Sequence, residues 1–219
     1  MTMQKFGVIN GVGMCLSKYI LFLMMLSTLI FPVKSQTSNV VTILADDDYP
    51  PYSYVENGDG TITDNSTGLM WMQDDNGEGV DWSASLAYAE GSEFGGYSDW
   101  RLPNVKELQG IVDYGYSPSA TDAAKVGPAI DPMFSCTPII NEAGNDDYGY
   151  YWTSTSANFT SGDPYYYAWY VAFGMAVNGE GLDFHGAGGV RFDTKYEGGP
   201  LGDGGERYYN YVRLVRDVR

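Results

Sequence analysis

Histidine, cysteine and basic charge are all scarce in this chain, and each shortage removes a class of function. The one histidine, His185, sits in the glycine-rich stretch DFHGAGG. A Ser–His or Cys–His nucleophilic pair would have to use it, and a plain turn accounts for it equally well. Of the two cysteines, Cys15 precedes an N-terminal apolar run and Cys136 alone follows it. An exported chain left with one cysteine forms no internal disulfide. Cys136 reads as a small buried apolar residue, because nothing in its neighbourhood would activate a thiol. No His/Cys grouping has zinc-ligand spacing. Gly186–Gly189 is too short for a phosphate-binding loop. Lys and Arg number 12 against 28 Asp and Glu, a net charge of −16, and no basic run exists. Such a surface repels polyanions, so the expected partners include no nucleic acid and no anionic lipid.

Long apolar runs are equally few. The one run, Tyr19–Phe31, follows Lys18 and precedes Pro32 and Val33-Lys34-Ser35. It is shorter than the ~20 residues of a membrane span and has the form of a secretory signal peptide over residues 1–35. The chain is therefore expected to be exported, to a bacterial periplasm, cell surface or beyond, with no stable membrane insertion after cleavage. Lys5, Lys18 and Lys34 lie in that segment with no acid, which leaves nine basic against 28 acidic residues, a net charge of −19. Residues 36–56 read as an extended lead-in segment with a short strand at Val40–Leu44, since Pro50-Pro51 forbids helix. Residues 57–219 are one domain's worth of chain.

Turn chemistry at Asn57–Gly60 and Asp64–Gly68 predicts two strands within Asn57–Gln73. Asn57–Ile62 also resembles the middle of an EF-hand loop, but its first and last ligand positions would be Val55 and Ser66. A weak Ca²⁺ site at Asp59 and Asp64 stays open, and no other cofactor is expected. Asp81 can cap a helix to Gly91 with Trp82, Leu86 and Ala89 on one face. In WRLPNVKEL, Asn104 is a good N-cap with Glu107 three residues on, a capping-box arrangement. Pro103 and Leu108 hold the two hydrophobic-staple positions, and Leu108, Ile111 and Val112 supply the buried stripe. Asp99 and Arg101 alternate across a strand and need not pair with each other. Residues 114–149 are rich in Gly and Pro and predict a surface loop. Strands are expected at Tyr150–Thr155, Tyr165–Val177, Gly189–Lys195 and Tyr209–Val218, forming an antiparallel meander. In the second of these, alternation puts Tyr165, Tyr167, Trp169, Val171 and Phe173 on one face. Tyr166, Ala168, Tyr170 and Ala172 fall on the other.

The ordered set NGDGTITDNSTGLMW, GGYSDWRLPNVKEL, YYWTSTS, AWYVAFG, HGAGGVRFDTK and NYVRLVR closely resembles the C-terminal domain of the Legionella collagen-like adhesins. The resemblance runs from about Asn57 to Arg216. It implies an α+β fold, a C-type-lectin-like variant with two helices packed on short, twisted antiparallel strands. It also implies attachment to sulfated polysaccharides, which the acidic charge opposes. The collagen stalk of those adhesins is absent, as are the Ca²⁺-dependent sugar motifs of C-type lectins. The related formylglycine-generating enzymes use a cysteine pair, which the single cysteine after the signal segment cannot supply.

The expectation is a non-enzymatic recognition or adhesion module binding a glycan or protein. Contact would run through loop 114–149 and the residues Tyr165, Tyr166, Tyr167, Trp169 and Tyr170. An internal aromatic ladder explains those tyrosines as well. Trp71, Trp82, Trp100 and Trp152 are assigned to the core, and Arg101, Pro103, Asn104, Glu107 and Leu108 to architecture. Two other classes stay open: an envelope subunit that oligomerises, and a hydrolase-like enzyme on the same scaffold.

Overall fold

A computed structural model describes residues 53–159 and 163–218. The signal segment and the strand expected at Val40–Leu44 lie outside the described residues. Leu69–Met72 (β3) reads LMWM, a short unbroken apolar run of the kind that forms a strand buried on both faces. All four residues are buried. Thr61–Asp64 (β2) pairs antiparallel on one side of it, and Tyr54–Glu56 (β1) pairs with β2. The other side of β3 takes Val215–Asp217 (β9), completing the order β1-β2-β3-β9. The first strand thus lies inside the segment read as a lead-in. Tyr54 is buried there against Phe134, ring centroids 5.3 Å apart.

Tyr150–Ser156 (β6), Tyr167–Ala172 (β7) and Val190–Thr194 (β8) form the expected antiparallel meander. The chain's last strand does not join it. Residues 210–214 instead run between the two sheets, where Tyr211 exchanges backbone bonds with β6 (its N–H to Tyr150 O, its carbonyl to Trp152 N). Leu214 and Val212 then accept from Met72 and Asn76. Arg213 explains why this segment stays between the sheets. Its guanidinium is fully buried and donates to the carbonyls of Met72, Gln73 and Ser135. Buried carbonyls need such donors.

Two cores result. Leu69, Trp71, Tyr151, Val171, Phe173 and Val215 share one, with Leu108 of the second helix and its C-cap residue Ile111. Met70, Met72, Tyr150, Trp152, Tyr170 and Leu214 share the other, packed by Trp100 and Leu102 and by Ala89 of the first helix. Strands β3, β6 and β7 therefore send alternate residues into different cores.

The first helix, Trp82–Gly91 (α1), is capped by Asp81, whose side chain accepts from Ala84 N. Trp82 is half-buried, donates its indole N–H to Thr153 O, and carries the Lys195 ammonium 3.8 Å above its ring. The second, Val105–Gly110 (α2), has the full capping box. Arg101 closes a bidentate pair on Glu107 at 2.8 and 2.9 Å, while Asp99 pairs with Arg216. Pro103 and Leu108 are both buried. The region 114–149 departs from a surface loop. It holds a short 3₁₀ turn at Ala123–Lys125 and a hairpin of Pro138–Ile140 (β4) with Asp146–Tyr148 (β5). It also sends Ala129, Ile130 and Phe134 into the first core.

Candidate functional site

The tyrosine-rich stretch does not run as one strand. Asp163–Tyr166 makes a single helical turn (α3), and β7 begins at Tyr167. Pro164 suits that turn, since its missing N–H costs nothing at a helix start. Tyr165 is consequently 78% exposed, and Tyr166 lies beside Tyr167 with centroids 6.3 Å apart. Tyr167 and Trp169 project from the outer face of β7, and Phe192 stands directly opposite Trp169 on β8. Phe159 leans over the pair, 4.7 Å from Phe192 and 5.5 Å from Trp169. Tyr167 meets Phe192 at 5.1 Å. Edge-to-face pairs of this kind contribute ~0.5–1.5 kcal/mol each beyond burial. The cluster is thus ordered by its own contacts while Phe159 stays 56% exposed. Further along the chain the same face is closed by Val171 of β7 and by Phe173 just past its end, against the first core.

Tyr170 does not belong to this surface. It points to the opposite face of β7, is fully buried, and its hydroxyl accepts from Arg207 at 3.3 Å. Strand alternation separates it from Trp169 by one residue and one whole face. Conversely, Phe159 and Phe192 are members that composition alone did not single out. The alternation of GVRFDTK carries the signal for Phe192, and only the fold brings Phe159 to it.

The metal candidates are not brought together. Asp59 and Asp64 sit at opposite ends of β2, each consumed by its own turn. Asp59 accepts from Thr61 N and Oγ1, and Asp64 from Ser66 N and Oγ and from Thr67 Oγ1. Among the described residues no group of three or more His, Cys, Asp or Glu is placed to hold a metal. His185 is exposed in a turn, its own backbone N–H bonded to Asp183. Cys136 packs against the first core, and burial pushes its thiol up in pKa. That is the opposite of what a nucleophile requires.

A groove lies on the other side of the meander. Its volume is about 360 Å³, and Ile139, Ile140, Glu142, Tyr150, Tyr209 and Tyr211 line it. Arg207 forms the floor, stacked 3.7 Å from the Tyr150 ring centroid and 3% exposed. It ties together Glu142, Asp193, Tyr170 and the Val177 carbonyl. Two glycines let the aromatic walls close in. A Cβ on Gly149 would meet the Tyr211 ring at 2.5 Å, and one on Gly79 would meet Tyr209 at 3.0 Å. Behind the floor, Asp193 is fully buried, and loss of water pushes its pKa up to about 7 despite Arg207, the Gly204 N–H and Arg191. Burial alone would lower Arg207, but Asp193 and then Tyr170 more than offset it and keep the guanidinium charged.

The cations are drawn inward throughout. Arg191, Lys195, Arg207, Arg213 and Arg216 are all buried. Arg101 is held by Glu107 and Asp217, which leaves Lys106 and Lys125 as the exposed bases among the described residues.

Small antiparallel sheets with few helices and two cores define an α+β domain. A family model, the Lcl C-terminal domain, matches residues 60–216, and the chain belongs to that adhesin-associated family. No curated protein and no solved structure matches the chain. No helix among the described residues is long and apolar enough to cross a membrane.

Proposed function

We propose that this protein is an exported, non-enzymatic recognition module that binds a glycan or protein through the outer aromatic face of β7 and β8. The observation that carries the reading is the cluster of Phe159, Tyr167, Trp169 and Phe192, edged by Tyr165 and Tyr166. Phe159, Tyr165 and Tyr166 stand exposed beside the half-buried Tyr167, Trp169 and Phe192, and contiguous aromatic patches of this kind mark interaction surfaces. Tyrosine and tryptophan suit this role because they offer a large rigid area with a polar tip. Membership of an adhesin-associated family supports the same reading, as it does export to the cell surface or periplasm. A C-type-lectin-like topology fits the return of β9 to β3 beside the N-terminal hairpin.

The test is an array of glycans and extracellular proteins, probed with the purified chain with and without Ca²⁺. Selective binding that drops at least tenfold in a Tyr165→Ala/Tyr166→Ala variant is expected. Neither side chain belongs to a core, so folding should survive. Equal binding by the variant would remove the aromatic face from the reading. A blank array under both conditions would move the protein to the class of oligomerising envelope subunits.

A further inference from the structure

The groove floored by Arg207 has a hydrogen-bonding capacity that can be counted. A guanidinium carries five N–H donors. In Arg207, Nε donates to Glu142, Nη1 to Tyr170 and Asp193, and Nη2 to Glu142 and the Val177 carbonyl. All five are engaged, so none is left for an anion. Glu142 is different. A carboxylate offers about four lone-pair positions. Its Oε1 accepts twice from Arg207, and its Oε2 once from the Tyr150 hydroxyl at 3.1 Å. One acceptor position remains, on a side chain 31% exposed. Around it stand Tyr209, 52% exposed, with Tyr211 and the apolar edge of Ile139 and Ile140.

We infer that this groove is a saccharide-binding site that admits a neutral or amine-bearing sugar residue and rejects sulfated or carboxylated ones. A pyranose ring has a face of C–H groups and a rim of hydroxyls, and the groove answers with tyrosine rings and one free carboxylate position. Its volume of about 360 Å³ lies at the small end of ligand sites (~300–1,000 Å³), which suits one sugar residue rather than a folded partner. The groove and the outer aromatic face lie on opposite sides of β7, so this site stands or falls separately from the proposed adhesion surface.

The test is calorimetric titration of the full chain with four probes: maltotriose, an N-acetylglucosamine trimer, a glucosamine trimer and a heparin hexasaccharide. Saturable binding of at least one of the first three is expected, with no heat from heparin. Tyr209→Ala should weaken that binding at least tenfold. Glu142→Gln keeps an oxygen for Arg207 but turns the free acceptor into a donor, and should abolish any preference for the amine-bearing probe. Val55→Ala, exposed on β1 and part of neither surface, should leave the affinity within twofold. A binding signal from heparin, or silence from all three other sugars, would overturn the inference. So would sugar binding that Tyr209→Ala and Glu142→Gln leave unchanged, or occupancy of the groove by a lysine peptide in the absence of any sugar binding. Array signals that fall with Tyr165→Ala/Tyr166→Ala but survive Tyr209→Ala belong to the outer face, and signals with the reverse behaviour belong to the groove.

Discussion

Replacing Asn104 by alanine tests whether the WRLPNVKEL element is architecture. Helix α2 has six residues, far below the ~12–15 at which an isolated helix becomes marginal in water, so it persists through its cap and its packing. The Asn104 side chain accepts from Lys106 N at 2.9 Å and from Glu107 N at 3.0 Å. Losing a cap of this type costs about 1 kcal/mol. Glu107→Ala removes more. The Glu107 carboxylate accepts from Asn104 N at 2.8 Å and holds Arg101 through both oxygens. The Arg101 pair is partly exposed, 38% and 19%, so solvent screening limits it to ~0.5–1 kcal/mol. With ~1 kcal/mol for the return bond to the cap, the total is roughly 1.5–2 kcal/mol. For a chain of this size each kcal/mol lowers Tm by about 2–4 °C. Urea unfolding followed by tryptophan fluorescence measures both changes. Because the two bonds of the box support each other, the double variant should fall short of additivity by ~0.5–1 kcal/mol. Single effects below about 0.3 kcal/mol, strict additivity, or lost ligand binding at unchanged stability would each refute the architectural reading.

Three further perturbations probe the interior. Trp100→Ala empties a buried site in the second core and breaks the indole bond to Phe94 O, so unfolding free energy should drop by ~3–5 kcal/mol in a denaturant titration. Arg213→Lys should destabilise by ~1–3 kcal/mol, because one ammonium cannot reach the three carbonyls that the guanidinium spans. Asp193 keeps its proton up to about pH 7 when folded, whereas an unfolded aspartate releases it near pH 4. Across that window the folded state binds more protons, so stability falls as pH rises, by at most ~1.4 kcal/mol per unit. A series of urea midpoints from pH 4 to 8 should show that slope, and Asp193→Asn should remove its share of it.

Elements whose chemistry is local were legible from residue identity. The Asp81 and Asn104 caps act over three residues, and the LMWM, YYWTSTS and GVRFDTK strands carry composition that leaves little choice. Long-range decisions were not legible. Tyr54 becomes a strand residue only because β2 is present to pair with it, and the preceding prolines conceal that. The YNYVRLVRDV segment has strand composition, but nothing in it says that β3 rather than the meander is its partner, or that Arg213 will be its anchor. Ala129, Ile130 and Phe134 have no period that marks them as core. Alternation in β7 sorts Trp169 from Tyr170 without saying which of them faces water. The groove is the extreme case, since residues 139–150 and 207–211 meet only after the hairpin β4–β5 and the C-terminal segment are both in place.

The placement of charge gives the ligand argument its direction. A chain with 28 acids and 12 bases could still present a basic patch if its cations were gathered on one face. Here they are used as internal fasteners: Arg207 on Glu142 and Asp193, Arg213 on three carbonyls, Arg216 on Asp99, Lys195 on Ser156 and the Pro164 carbonyl. Each is buried, so its charge is neutralised within the fold or insulated from water, and the exposed surface is more acidic than composition alone implies. A polyanion would then meet repulsion without a compensating cluster of donors. Binding driven by counterion release should be absent, and the affinity for a neutral sugar should not fall with salt. Titrating the N-acetylglucosamine trimer at ~50 and ~500 mM salt should therefore give dissociation constants within twofold, because no phosphate- or sulfate-like contact is being screened. A decline of tenfold or more would mean that the contact depends on charge after all, and the neutral-sugar chemistry would have to be drawn again.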